Sequence, residues 1–159
     1  MEQAQDNNGG FEKEKPFRGV ITIFYKKVDD KLLFLVIENT KTENVSFVSG
    51  AEEDADELSL EKTAQREAEE ELGLSPDSYQ LEPTTINHEF VFNSKKAERA
   101  GKKASYQIYL ADITNTNNEI GHTGELKSAK WMTKEEALDS LTFPELKELF
   151  EKAIGAIKL

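Results

Sequence analysis

Arg66, Glu67, Glu69, Glu70 and Glu71 crowd into six consecutive residues, "REAEEE". On a helix, which turns about 100° per residue, Glu67, Glu70 and Glu71 are spaced i, i+3, i+4 and project from one face. Glu69 points elsewhere and reads as a solvated residue. Arg66 lies one turn before Glu70 and offsets part of the repulsion. Three carboxylates on one face still cost stability unless a cation neutralises them. Hard oxygen ligands suit Mg²⁺, Mn²⁺ or Ca²⁺. Mg²⁺ keeps several waters and takes much of its shell from phosphate oxygens, so such a face suits a polyphosphate brought in through bridging metals. An ordinary solvated acidic face is the other reading of the same run.

The rest of the chain concentrates charge in the same place. Net charge is −11 over 159 residues, and the stretch 51–72 alone holds ten Asp/Glu against two Lys/Arg. That balance argues against a nucleic-acid surface as partner. There is no cysteine, which excludes disulfides and thiolate metal sites. No stretch has the length of a membrane span. The opening MEQAQDNNGG is polar and acidic where a secretory leader is basic and then apolar. These features predict a cytoplasmic protein, monomer or homodimer, with a small molecule rather than nucleic acid or membrane as its partner.

A helix carrying the glutamates needs a sheet to dock on. Ser59 is a candidate N-cap, Leu60, Ala64, Ala68 and Leu72 form one apolar stripe, and Gly73 and Pro76 end the helix. Strands are predicted at Arg18–Val28, Leu32–Glu38, Val45–Val48, Tyr79–Phe92, Ala104–Ile113 and Lys127–Met132 from β-branched and aromatic content. The run LLFLVIE, Leu32–Glu38, predicts a strand buried on both faces. Thr133 with Glu136, and Thr142 with Glu145, have capping-box spacing and predict two closing helices. Residues 1–15 are predicted to be a flexible segment, and residues 16–159 one α+β domain around a mixed β-sheet.

The helix segment resembles the Nudix box. That pattern runs Gly, five residues, Glu, seven residues, then Arg-Glu-U-x-Glu-Glu-x-Gly-U, with U a bulky aliphatic. "REAEEELGL" supplies Arg66, Glu67, Glu70, Glu71, Gly73 and Leu74, with Ala68 small for its slot. Gly50 aligns with the box glycine and Glu53 with a glutamate often found three residues later. The first box glutamate is displaced. Counting back from Arg66 reaches Leu58, whereas counting forward from Gly50 reaches Asp56. The loop therefore carries about two extra residues, and Glu57, or else Asp56, is expected to pair with Arg66 in that glutamate's place. The resemblance implies the Nudix fold, a mixed sheet sandwiched between helices. It also implies Mg²⁺ or Mn²⁺ held by Glu67, Glu70, Glu71 and the Gly50 carbonyl, with Arg66 orienting the carboxylates. The implied reaction is attack of metal-activated water on a phosphorus of a nucleoside diphosphate linked to another group.

The C-terminal stretch "GELKSAKWMTKEEALDSLTFPELKELFEKA" resembles the diadenosine tetraphosphate hydrolase-like branch. There an acidic residue precedes a short strand ending in Trp, followed by a helix, a Phe and a last helix. Glu125 occupies the acidic position, where the resemblance implies a ligand or general base. Tyr106 and Tyr109 lie on the strand that offers an aromatic for the base, and since they face opposite ways at most one of them stacks on it. Lys95, Lys96 and Lys103 belong to the one basic island of an acidic chain, where they could grip distal phosphates. His88 reads as a half-buried strand histidine. Two alternatives stand beside a dinucleoside polyphosphate hydrolase. One is a pyrophosphohydrolase of (d)NTP or pterin triphosphate. The other, motivated by the displaced glutamate, is a Nudix-fold nucleotide-binding module with impaired catalysis.

Overall fold

The computed structural model describes residues 17–92, 101–115, 120–121 and 126–157. Its strands are β1 (Phe17–Val28), β2 (Lys31–Asn39), β3 (Val45–Ser46), β4 (Val48–Ala51), β5 (Gln80–Val91), β6 (Lys103–Asp112) and β7 (Leu126–Met132). Among the described residues three α-helices accompany them: α1 (Leu60–Leu72), α2 (Lys134–Ser140) and α3 (Pro144–Ile154). The strands form one mixed sheet in the order β3-β2-β1-β6-β5, with β4 on β1 and β7 on β2. Among the described residues only the β1–β6 pairing is parallel.

The helices cover both faces. Val20, Phe24, Leu35, Ile37 and Val48 pack under the α1 stripe of Ala64, Ala68 and Leu72. On the other face Ile21, Ile23, Phe34, Val36 and Ile108 pack against Leu146, Phe150 and Ala153 of α3. The alternation of Phe34 and Val36 with Leu35 and Ile37 is why β2 reads as an unbroken apolar run: both of its faces are buried. Phe150 is fully buried and meets Phe34 edge-to-face with ring centres 4.9 Å apart. Phe150→Ala should lower stability by about 3–5 kcal/mol in a denaturant titration.

The caps of α1 and α2 form as the sequence predicts. Lys62 N–H donates to the Ser59 hydroxyl, and Gly73 closes α1 at φ 71°. Thr133 and Glu136 make a reciprocal capping box. The box expected at Thr142 and Glu145 does not form. Thr142 Oγ1 instead accepts the Val45 backbone N–H at 2.8 Å, tying the β3 edge to the approach of α3, and Phe143 is the N-cap. A tertiary acceptor was needed more than a cap, because Pro144 already removes one of the free helix N–H groups.

Candidate active site

Arg66 is the hub around which the acidic loop and the helix face are arranged. Its Nε and Nη2 donate to the two carboxylate oxygens of Asp56, both at 2.9 Å, in a forked pair. Nη2 also donates to the Ala51 carbonyl at 2.9 Å, fixing the end of β4. Nη1 reaches Glu67 at 3.0 Å, Glu70 at 3.2 Å and Glu53 at 3.4 Å. One guanidinium therefore sets the positions of two helix carboxylates and two loop carboxylates. Its own pKa is raised further by these partners, Asp56 first, so it stays charged.

Asp56, not Glu57, stands in the place of the first box glutamate. Asp56 is 2% exposed and accepts further bonds from the Thr63 hydroxyl and the Glu53 N–H, each at 2.9 Å. The Arg66 bonds hold its carboxyl down at about 2. Glu57 turns to solvent and pairs with Lys62, one turn into α1. Both Glu57 (φ 54°) and Leu58 (φ 63°) adopt left-handed backbone. Two consecutive non-glycine residues of that kind form a knuckle that carries the extra length out of the loop and leaves Asp56 in register with Gly50. The Leu58 side chain is 83% exposed on it. Arg18 straps the loop from outside. It forks to Glu52 at 3.0 and 2.8 Å and donates to the Leu58 carbonyl at 3.1 Å. Arg18 carried no motif in the sequence and went unnoticed. Glu57→Ala should therefore leave turnover and melting temperature at their wild-type values, which an activity assay and a thermal melt would check.

Glu67 is the buried member of the helix trio, at 8% exposure. It lies directly under Gly50, where an added Cβ would stand 2.0 Å from Glu67 Oε2. The glycine is thus required by the close approach of a carboxylate. Burial pushes the Glu67 carboxyl above the usual range, opposed by a hydrogen bond with Glu71 and by Arg66. Two carboxyls at hydrogen-bonding distance share a proton unless a cation replaces it. Glu70 is exposed and Glu71 half-buried on the same helix face. Among the described residues no three acidic or histidine side chains converge as a ready-made cation cage. The donor set nevertheless suits Mg²⁺ or Mn²⁺: hard oxygens on one face, one of them buried, with room for waters and phosphate oxygens to complete the shell.

A groove of about 540 Å³ opens on the opposite face of the sheet, lined among others by Tyr106, His88, Phe90, Phe143, Glu145 and Ser49. His88 stacks on Phe90 at 4.8 Å and 23°, and Phe90 meets the Tyr106 ring at 5.2 Å. Phe143 remains 45% exposed at the rim. His88 and Phe90 stand two residues apart on β5 and so share a face. Tyr109, the other stacking candidate, faces away from the groove. Both tyrosines are largely buried, Tyr106 at 7% exposure and Tyr109 at 6%, but Tyr106 lines the groove whereas Tyr109 lies on the α1 side, packed with Val20 and Ala64. Lys103 is exposed at the start of β6, paired with Val91 of the groove wall. Glu125, Lys95 and Lys96 lie outside the described residues.

The groove and the carboxylate face lie back to back, separated by two glycines. A Cβ on Gly19 would stand 2.6 Å from both the Tyr106 ring and the Gly50 carbonyl. Tyr106, Gly19, Gly50 and Glu67 therefore form one line through the sheet.

This fold and this box define a Nudix domain, and the chain belongs to that family: the NUDIX domain model matches residues 15–153. Its glutamate helix, arginine hub and glycine cradle all lie within the matched span. Solved structures of similar fold include a Nudix hydrolase candidate from Listeria monocytogenes, with 23% identity and a TM-score of 0.73 over 87% of this chain and 92% of that one. The Ap4A hydrolase of C. elegans, solved as a binary complex, has 18% identity and a TM-score of 0.70, covering 89% of this chain and 99% of that one. The dihydroneopterin triphosphate pyrophosphohydrolase of E. coli has 15% identity and a TM-score of 0.72, covering 90% and 100%. Comparison with curated protein sequences gave no match. No helix among the described residues is long and apolar enough to cross a membrane.

Proposed function

We propose that the chain hydrolyses a phosphoanhydride bond in a nucleoside polyphosphate of the dinucleoside tetraphosphate type, with Mg²⁺ or Mn²⁺ at the Glu67, Glu70 and Glu71 face. The carrying observation is the line Tyr106–Gly19–Gly50–Glu67, which sets an aromatic groove and a carboxylate cluster back to back at the β4 edge of the sheet. A base in the groove would send its phosphates round the β4 edge, past Ser49 and Gly50, to reach the glutamates. The tail's resemblance names diadenosine tetraphosphate as the reference substrate, and the groove lining sets which purine is preferred.

Each residue then has a distinct task. Tyr106 supplies a face for the base, a stacking contact worth roughly 1–3 kcal/mol. Gly50 offers its carbonyl and admits Glu67 beneath it. Arg66 holds Glu67 and Glu70 in place, and Asp56 holds Arg66. Glu70 and Glu125 are the candidates to accept a proton from the attacking water. A divalent cation held at this face would neutralise phosphate charge and lower the pKa of a bound water. Lys95, Lys96 and Lys103 would meet the distal phosphates. The location we assign is the cytoplasm.

The test is product analysis across dinucleoside tetraphosphates, NTPs, dNTPs, pterin triphosphate and nucleotide sugars. The account expects asymmetric cleavage of a dinucleoside tetraphosphate to a nucleoside triphosphate and a monophosphate. Exclusive cleavage of mononucleoside or pterin triphosphates to pyrophosphate would overturn the dinucleoside part of the reading. Absence of turnover with any substrate would overturn the enzyme.

A further inference from the structure

We infer that Glu145 and His88 read the edge of the base held against Tyr106, and that the edge they fit is the amino-oxo edge shared by guanine and pterins. This rests on the reading of the groove as the base subsite.

Glu145, on the first turn of α3, is the only carboxylate lining the groove among the described residues. His88, on β5, is the register partner of Tyr106 and half-buried. The two line the same space from different elements, α3 from one wall and the sheet from the other; burial lowers the His88 pKa, and the nearby Glu145 charge opposes that shift. Phe90 and Tyr106 supply the aromatic surface beside them, and exposed Phe143 supplies a second ring from the α3 side.

Donor and acceptor types then select the ligand. A carboxylate has two acceptor oxygens and no donor, and a neutral imidazole offers one N–H. The matching edge presents two adjacent N–H donors followed by a carbonyl acceptor. Guanine has that row in its amino group, ring N–H and oxo group, and a pterin has the same row. Adenine presents one amino donor beside a bare ring nitrogen, whose lone pair would face the second carboxylate oxygen. Stacking on Tyr106 and Phe143 is indifferent to this choice, so discrimination falls to Glu145 and His88.

The test is equilibrium binding of the full chain to GMP, AMP and a pterin monophosphate, none of which holds an anhydride bond to cleave. GMP, the pterin, or both should bind about tenfold or more tighter than AMP, the scale of one good bidentate base contact. Glu145→Gln replaces one acceptor by a donor, the pair that complements adenine's amino group and bare ring nitrogen, and should remove or reverse that preference by weakening the oxo ligands and strengthening AMP. His88→Phe keeps a flat ring on Phe90 but removes the N–H, and should weaken the oxo ligands about threefold. Preference for GMP alone, or for the pterin alone, would assign the source of the shared edge. AMP binding as tightly as both oxo ligands would overturn the inference, and so would Glu145→Gln weakening all three alike. Tyr106→Ala separates the two levels of the argument. If it weakens every ligand, the base subsite stands whatever Glu145 does. If it weakens none, the groove reading itself fails.

Discussion

Asp56→Ala should destabilise the domain by about 3–5 kcal/mol, the cost of leaving one member of a buried ion pair without its partner, and should remove turnover with it. Asp56 takes both forked bonds of Arg66 as well as bonds from Thr63 and Glu53, so no neighbouring group can take its place. Glu57 is committed to Lys62 and faces solvent. Asp56→Asn separates the two losses, since it keeps the shape but removes the charge. It should retain much of the stability and still misplace Arg66. Thermal melts beside kcat/KM for both variants would check this. The pair also has a pH signature. The folded-state carboxyl titrates at about 2, below its ordinary value of 3.8. Its contribution is therefore complete above about pH 4 and lost as pH falls through about 2. The Asp56→Ala melt should converge on the wild-type melt in that acid window and diverge above it.

Glu67→Gln should lower kcat/KM by about a thousandfold, as expected for losing several kcal/mol of metal-borne charge stabilisation, while leaving the fold intact. The two effects part because burial already disfavours the charged form of Glu67. A neutral isostere under Gly50 therefore relieves a desolvation cost even as it loses the Arg66 ion pair. Gly50→Ala is a complementary lesion. Its new Cβ would stand 2.0 Å from Glu67 Oε2 and drive the carboxylate away with its chemistry unchanged. Both variants should fold, bind GMP or AMP in the groove, and fail in turnover. A variant of either kind with wild-type kcat/KM would remove Glu67 from the site.

The helix of glutamates was legible because its signals were local: a cap at Ser59, a stripe at every fourth residue, and a glycine stop at Gly73. The two-faced burial of β2 was legible for the same reason. The acidic loop was not. Spacing alone left Glu57 and Asp56 open, because the two counts toward the box glutamate disagree by two residues. What settles the pairing is a pair of left-handed residues, Glu57 and Leu58, at which L side chains gain nothing locally and which sequence rules would never nominate. The Arg18 strap that helps hold them bridges 34 and 40 positions in sequence. The groove was half legible. The half-buried strand position of His88 was legible, but the arrival of Glu145 and Phe143 depends on how α3 returns across the sheet. Thr142 shows the same limit, since a capping signal was overruled by a β3 backbone N–H from 97 residues away.

The most direct test of the central claim is turnover of the best-cleaved substrate by wild type and Glu70→Gln, in Mg²⁺, in EDTA, and after Mg²⁺ is restored. The account predicts cleavage in Mg²⁺, none in EDTA, full recovery on restoration, and a loss of about a hundredfold or more in Glu70→Gln at every Mg²⁺ concentration. Cleavage that persists in EDTA, or Glu70→Gln turning over like wild type, would contradict it.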